Sequence, residues 1–169
     1  NAKAKLFEMP SLSVAIVNLD DEFSNVLTKR IASTVRVINY SIDNPKADLY
    51  LANIRYGNSQ LLADLYCNNQ VYSLSTPLIG RFNLSNLLAV LAVFSEQEDF
   101  TEVVSSAQYL QPISGRMESV SNRLGVQVII DFAHTPDALE NVLQAVSEYV
   151  EGDVYCVFGC GGDRDQSKR

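Results

Sequence analysis

Two short polar segments near the end of the chain carry residue types that could bind an anionic ligand. Asp131 and His134 follow one predicted strand, and Gly161, Gly162 and Arg164 follow the next. Consecutive glycines let backbone amides approach an anion closely, and an arginine can hold a carboxylate or phosphate through two parallel hydrogen bonds. These residues indicate a nucleotide or anion site. Each also has an ordinary alternative, as a residue at a helix start, a capping acid or a tight glycine turn.

A strand, a helix and a second strand should position these two loops. Residues 126–130 form a β-branched run typical of a buried strand, and residues 153–158 form another. Between them, Thr135 is a candidate N-cap and Pro136 suits the first helical position. Such a βαβ unit implies a parallel sheet, whose ligands bind at the carboxyl ends of the strands.

The first part of the chain predicts a second α/β arrangement. Residues 13–19 and 34–42 are typical of strands, and a helix is expected near residues 22–30. Residues 48–79 alternate between apolar and polar positions and contain Gly-Asn and Asn-Asn turn signals. This pattern predicts two or three antiparallel strands joined by hairpins.

Two helices should follow this meander. Asn83 is expected to cap a helix whose apolar residues recur at three and four positions up to Phe94. Residues 101–110 predict a second helix. The sequence from Gln111 to Gly115 contains proline and glycine, which interrupt a helix. We therefore predict a domain boundary after residue 112.

The overall composition excludes several classes of function. The formal net charge of −7 argues against nucleic acid as a partner, because proteins that bind the phosphate backbone need a basic surface. The longest apolar run, residues 87–94, is far shorter than the roughly 20 residues that cross a bilayer, so no membrane insertion is expected. Three cysteines do not form a disulfide framework, which favours a cytoplasmic location.

Four ordered segments resemble motifs of the Mur ligase family. Their order and spacing across nearly the whole chain make the resemblance more specific than any one motif. The segments are Gly80-Arg81-Phe82-Asn83-Leu84-Ser85-Asn86, Leu110-Gln111-Pro112 with Gly115-Arg116-Met117-Glu118, Asp131-Phe132-Ala133-His134-Thr135-Pro136-Asp137, and Phe158-Gly159-Cys160-Gly161-Gly162-Asp163-Arg164-Asp165.

The resemblance implies an α/β fold taken from an enzyme of three domains. Residues 1–112 would be the later part of the central ATPase domain, with parallel strands, an antiparallel meander and helices. Residues 113–169 would begin a Rossmann-like C-terminal ligase domain. We expect the chain to be an internal part of a longer protein, with the glycine-rich phosphate loop upstream.

The reaction implied is ATP-dependent amide-bond formation in peptidoglycan synthesis. A substrate carboxylate would be activated as an acyl phosphate and then attacked by an incoming amine. The implied partners are a UDP-MurNAc-dipeptide and a third amino acid, with diaminopimelate favoured over lysine. The alternatives are a related ligase such as folylpolyglutamate synthetase, and a noncatalytic nucleotide-binding module. The chain alone is expected to be inactive.

The resemblance also implies roles for individual residues. Asn83 and Asn86 would lie against adenine, and Arg116 and Asp131 would hold the ribose and nearby nucleotide groups. His134 would occupy a catalytic position beside the nucleotide phosphates or the reacting centre, without acting as the general base. The alternatives are a helix cap with a surface amide for the asparagines, and an ion pair between domains for Arg116 and Asp131.

Two further roles concern the amino acid and the metal. Arg164 would recognise the carboxylate of the incoming amino acid, with a solvated arginine as its alternative. Lys3 matches a lysine that is carbamylated in the family, which would convert a cation into an oxygen ligand for Mg²⁺. An ordinary exposed lysine is the alternative there.

Overall fold

The computed structural model of the protein describes residues 3–57, 60–150 and 152–159. Internal contacts divide the chain into two compact units. The first unit holds the described residues up to Pro77 together with Arg81–Leu110. The second holds Leu78–Gly80 and the described residues from Gln111 onward.

A five-stranded sheet with the order β1-β2-β3-β4-β5 forms the centre of the first unit. The first three strands pair in parallel, and β3, β4 and β5 form an antiparallel meander. The parallel strands and the antiparallel meander expected for this part of the chain are therefore both confirmed. The strands are β1 (Val14–Asn18), β2 (Arg36–Ser41), β3 (Leu49–Tyr56), β4 (Leu61–Cys67) and β5 (Gln70–Thr76).

The helices of the first unit are shorter than the sequence predicts. The helix expected at residues 22–30 covers five residues, and the one expected at residues 101–110 ends in a 3-10 turn. The helical segments are a 3-10 helix (Lys3–Glu8), α1 (Ser24–Thr28), α2 (Arg81–Phe94), α3 (Phe100–Ser106) and a second 3-10 helix (Ala107–Tyr109).

The apolar face of α2 packs against the first three strands, while α3 and the second 3-10 helix pack against β5, and together they form the core of this unit. The buried residues of α2 recur at the predicted helical spacing, and they pack with alternate residues of the central strands. At one end of the core, the ring of Phe100 meets Tyr72 edge to face, with the ring centroids 5.1 Å apart. The buried leucines are Leu49, Leu51, Leu61, Leu65, Leu74, Leu84, Leu87, Leu88 and Leu91.

The tight turn between β4 and β5 is built from the two predicted asparagines. Asn68 and Asn69 have φ angles of 50° and 60°, in the left-handed region that two-residue hairpins require. Asparagine tolerates this region better than most residues. The Asn68 side chain also donates a hydrogen bond to the carbonyl of Ser95 at 3.0 Å, which ties the hairpin to the residue after α2.

The prediction that Asn83 caps α2 is wrong. The helix begins at Arg81, so Asn83 lies inside its first turn. Gly80 precedes the helix with a φ of 93°, a conformation that glycine adopts readily and other residues avoid. The chain direction therefore changes before Arg81, and the helix starts two residues earlier than the capping pattern indicates.

The second unit contains a two-stranded antiparallel sheet and one long helix. β6 (Glu118–Val120), which was not predicted, pairs with β7 (Val128–Ile130). The helix α4 (Pro136–Tyr149) begins as predicted, since the Thr135 hydroxyl accepts a hydrogen bond from the backbone of Ala138 and proline occupies the first turn.

The predicted parallel βαβ unit is not present in the described residues. Residues 153–159 form no strand, and β7 is half exposed, with Val128 at 38% and Ile130 at 49% of their free accessibility. The physical reason is that a strand needs a neighbouring strand as well as β-forming residues. The described partner of β7 is β6, which lies only a few residues before it and pairs in the antiparallel direction.

Candidate functional site

In the first unit, polar side chains meet where the neighbouring parallel strands β1 and β2 end. Asn18, the last residue of β1, donates a hydrogen bond from Nδ2 to the hydroxyl of Ser85 on α2 at 3.2 Å. Its Oδ1 accepts the backbone N–H of Asp20 at 2.9 Å. One asparagine therefore fixes the loop after β1 and connects that loop to the first half of α2.

The carboxylate of Asp20 joins the loop after β1 to the loop after β2. It accepts the hydroxyl hydrogen of Ser41, which is fully buried, and the backbone N–H of Ile42 at 2.8 Å. The Ser41 oxygen in turn accepts the backbone N–H of Asn44 at 2.9 Å. The carboxyl edge of the parallel strands is thus held by hydrogen bonds, at the place where open α/β sheets bind ligands.

The start of α2 is anchored to the same edge. Arg81 forms an ion pair with Asp43, 2.9 Å between Nη2 and Oδ2, and Ser85 is held by Asn18 one turn later. Asn83 and Asn86 are three residues apart on this helix, so their amides lie on neighbouring positions of one side. Asn83 is half-buried and Asn86 is exposed.

In the second unit, Asp131 organises a group of residues that we call the Asp131 cluster: Arg116, Met117, Asp131, Phe132 and His134. Oδ2 of Asp131 accepts the backbone N–H of Met117 at 2.9 Å, and Oδ1 accepts that of Ala133 at 2.7 Å. A carboxylate oxygen has room for more than one hydrogen-bond donor. Asp131 can therefore still accept hydroxyl groups of a ligand while it holds two backbone segments.

Arg116 contacts the aromatic ring that follows Asp131. Its guanidinium carbon lies 5.6 Å from the centroid of the Phe132 ring, which is within the range of a cation–π contact. Both side chains are exposed. The exposed guanidinium keeps its hydrogen-bond donors for an anionic ligand.

His134 touches the same ring and is oriented by the backbone. Its ring centroid lies 5.4 Å from that of Phe132 at an interplanar angle of 60°, and Nδ1 lies 3.0 Å from the Phe132 carbonyl oxygen. A carbonyl oxygen only accepts, so this contact requires the hydrogen on Nδ1. Nε2 is then the acceptor in the neutral ring, or a second donor in the protonated ring.

The segment before β6 is closed by a second carboxylate. Glu118 accepts the backbone N–H of Gly115 at 2.7 Å and the hydroxyl of Ser114 at 2.9 Å. These two hydrogen bonds, the Gly115 bond first, lower the pKa of the Glu118 carboxyl below its usual value. Glu118 is thus one residue that the Gly-Arg-Met-Glu pattern contains but that the site prediction omitted.

The structure brings three of the predicted site residues together, and the others lie elsewhere or outside the described residues. Arg116, Asp131 and His134 lie in one cluster, and Asn83 and Asn86 lie on α2. Arg164 and the glycines at positions 161 and 162 lie outside the described residues, as does the side chain of Lys3. Within the described part of the chain, no group of three His, Cys, Asp or Glu residues could hold a metal ion.

A separate groove in the second unit is apolar. It has a volume of about 800 Å³ and is open to solvent, and its lining includes Leu139 and Leu143 of α4 together with Val154 and Cys156. None of the residues of the Asp131 cluster lines it.

None of the helices in residues 3–57, 60–150 and 152–159 has the length and apolar character of a membrane span.

Comparison with protein families identifies the class of protein to which this fold and these motif residues belong. The Mur ligase middle domain matches residues 1–94, and the Mur ligase glutamate ligase domain matches residues 115–169. Since the middle domain alone covers more than half of the chain, the chain belongs to the Mur ligase family.

Two individual relatives show which members of the family this chain is similar to. The UDP-N-acetylmuramoyl-L-alanyl-D-glutamate–2,6-diaminopimelate ligase of Ectopseudomonas mendocina is 41% identical over 169 residues, which is 99% of this chain and 34% of that protein. A solved structure of a ligase with the same name has a TM-score of 0.75 at 35% identity and covers 99% of this chain and 35% of its own.

A more distant structure shares the fold alone. Folylpolyglutamate synthetase from Lactobacillus casei has a TM-score of 0.65 at 16% identity, covering 90% of this chain and 39% of its own. The fold class predicted from the sequence is confirmed by these likenesses. The chain spans about a third of the length of the curated relatives it matches.

Proposed function

We propose that this chain is part of an ATP-dependent ligase that adds diaminopimelate to UDP-MurNAc-L-Ala-D-Glu. The observation that carries the proposal is the 41% identity with a diaminopimelate ligase along 99% of the chain. The grouping of Arg116, Asp131 and His134 in one cluster supports it, because these residues belong to motifs separated in the sequence.

In the proposed reaction, ATP supplies a leaving group that the substrate carboxylate lacks. A carboxylate oxygen attacks the γ-phosphorus, and the bond to the β-phosphate oxygen breaks, which gives an acyl phosphate and ADP. The amine of the amino acid then attacks the acyl carbon, loses a proton, and expels phosphate to form the amide. Mg²⁺ would neutralise charge on the phosphates during the first transfer.

The residues of the second unit fit a nucleotide by the chemistry of their groups. We assign the Asp131 carboxylate to the ribose hydroxyls, since its oxygens accept hydrogen bonds, and the Arg116 guanidinium to neighbouring anionic groups. We propose that His134 lies beside the phosphates; its Nε2 is the ring nitrogen that does not contact the Phe132 carbonyl. It is assigned no role as the general base.

The remaining assignments rest on the motifs. Asn83 and Asn86 are proposed to contact adenine, and Arg164 is proposed to bind the carboxylate of the incoming amino acid. Lys3, if carbamylated, would provide an oxygen ligand to Mg²⁺. We propose that residues 1–112 belong to the central ATP-binding domain and residues 113–169 to the C-terminal ligase domain.

We also propose that the 169-residue chain does not catalyse ligation by itself. Its sequence contains no glycine-rich phosphate loop ending in Gly-Lys-Ser or Gly-Lys-Thr, and it spans about a third of the length of its relatives.

A cytoplasmic location follows from the proposed ligase reaction, because ATP and the nucleotide-linked substrate are cytoplasmic.

The decisive experiment measures ADP release by the full-length protein. The reaction contains ATP, Mg²⁺, UDP-MurNAc-L-Ala-D-Glu and either diaminopimelate or lysine, and controls omit the dipeptide or the amino acid. We expect release that requires the dipeptide and diaminopimelate, with none from the 169-residue chain. Release with lysine alone would overturn the amino-acid assignment, and glutamate addition to a folate would favour the related ligase. Nucleotide binding without any turnover would indicate a noncatalytic module.

A further inference from the structure

We infer that Phe132 is a positioning residue that holds the Arg116 guanidinium and the His134 imidazole in place for the nucleotide. The inference rests on the proposed function, because it concerns how the same site is built. Phe132 touches both functional side chains through one ring, at 5.6 Å from the guanidinium carbon and 5.4 Å from the imidazole centroid.

The exposure of Phe132 is the first reason to assign it a role. Its side chain keeps 65% of its free accessibility, so it contributes little to an apolar core. A phenylalanine at a solvent-exposed loop position gains little by burial. Its contacts here are with a cation and with a second ring, both of which depend on the aromatic face or edge and not on apolar volume.

The ring is itself held by its backbone neighbours. Asp131, the preceding residue, accepts the N–H of Ala133, the following residue, in a tight local turn across Phe132. The Phe132 carbonyl also lies 3.0 Å from Nδ1 of His134. The backbone on both sides of the ring is therefore fixed before any ligand binds.

Arg116 is restrained both at its backbone and at its guanidinium. Its backbone N–H donates a hydrogen bond to the Ile113 carbonyl at 2.9 Å, and the backbone N–H of the next residue, Met117, donates to the Asp131 carboxylate. Met117 has a φ of 46° and is 1% exposed, so the backbone there adopts an uncommon conformation that its surroundings maintain. The Phe132 ring then orients the far end, the guanidinium.

This arrangement reduces the conformational entropy that the Arg116 side chain would lose on binding. An arginine has many rotamers, and a side chain that is already ordered loses less entropy when it binds an anion. Removal of the ring should therefore weaken nucleotide binding although Phe132 provides no hydrogen bond to the ligand. A leucine at the same position keeps apolar volume and removes the aromatic face.

The test compares Phe132→Leu, Phe132→Tyr and Arg116→Ala in the full-length protein. For Phe132→Leu we expect the KM for ATP to rise about two- to fivefold, the effect of one exposed cation–π contact, with the KM for the amino acid unchanged. Phe132→Tyr should restore the KM for ATP because it keeps the ring. Tyr109→Leu, which removes another exposed aromatic ring, should have no effect.

The double variant Phe132→Leu/Arg116→Ala shows whether the ring acts through the arginine. If it does, the KM for ATP of the double variant exceeds that of Arg116→Ala by a smaller factor than the one by which Phe132→Leu alone raises it. An unchanged KM for ATP in Phe132→Leu, or an equal increase in Phe132→Tyr, overturns the inference about Phe132. An unchanged KM for ATP in Arg116→Ala instead overturns the nucleotide role of Arg116 in the proposed function, so the two failures are distinguishable.

Discussion

Asp131 and Met117 are 14 positions apart in the sequence and are joined by a hydrogen bond of 2.9 Å from the backbone N–H of Met117 to the carboxylate. The bond connects the segment that carries Arg116 to the loop that carries His134. The second oxygen of the same carboxylate accepts the N–H of Ala133. Asp131 is therefore a structural link in the second unit as well as a proposed ligand-binding residue.

We predict that Asp131→Ala lowers the free energy of unfolding by about 1–3 kcal/mol, because two backbone N–H groups lose their hydrogen-bond acceptor. Asp131→Asn should cost less, since one acceptor oxygen remains. Chemical unfolding of the full-length protein measures both. Asp153→Ala, at an exposed carboxylate, is the control. An unfolding free energy of Asp131→Ala equal to that of the control would show that the two hydrogen bonds do not stabilise the fold.

The two faces of α2 provide a test of the core. Leu88 is fully buried, whereas Val90 on the same helix keeps 53% of its free accessibility. Leu88→Ala should destabilise the protein by roughly 2–5 kcal/mol, because it removes buried methyl groups and leaves a cavity. Val90→Ala should change the unfolding free energy by less than about 0.5 kcal/mol. Similar losses in the two variants would contradict the packing of α2 on the sheet.

Cys67 should make the stability of the first unit depend on alkaline pH. It is 2% exposed, and burial, with smaller contributions from the charges of Asp48 and Glu96, raises the pKa of its thiol from 9.0 to about 11. Between these two values the unfolded thiol loses its proton while the folded thiol keeps it. The free energy of unfolding therefore falls as the pH rises through this window, and Cys67 contributes no pH dependence below it.

Urea unfolding between about pH 8 and pH 10.5 measures this effect, with Cys67→Ala as the comparison. The variant is expected to be less stable at pH 8 and to lose less stability than the parent as the pH rises. Tyrosines and lysines titrate in both proteins, so the difference between the two slopes reports Cys67. Parallel slopes would show that the thiol is not shielded in the folded state.

Arg164→Ala in the full-length protein tests the proposed amino-acid contact. Loss of charge-assisted hydrogen bonds should raise the KM for diaminopimelate roughly tenfold or more and leave the KM for ATP nearly unchanged. Arg123→Ala is the control, since Arg123 is an exposed arginine of the second unit. Equal increases in both Michaelis constants would contradict the role assigned to Arg164.

The sequence by itself determined the elements whose residues and contacts are local. The two asparagines at positions 68 and 69 form the predicted turn, because left-handed φ angles suit asparagine and the turn involves only neighbouring residues. Thr135 and Pro136 begin α4 as predicted for the same reason. The apolar spacing of α2 also identified its buried face, since that face follows directly from the helical period.

Only the tertiary structure decided which segments pair and which functional groups meet. Residues 126–130 and 153–158 have similar β-forming sequences, yet β7 pairs with β6 and residues 153–159 form no strand, because pairing depends on a neighbour that the local sequence does not specify. The contacts of Phe132 with Arg116 and His134 likewise required coordinates. Residue types and spacing can name the groups that bind a ligand, but their orientation depends on side chains brought together from separate segments.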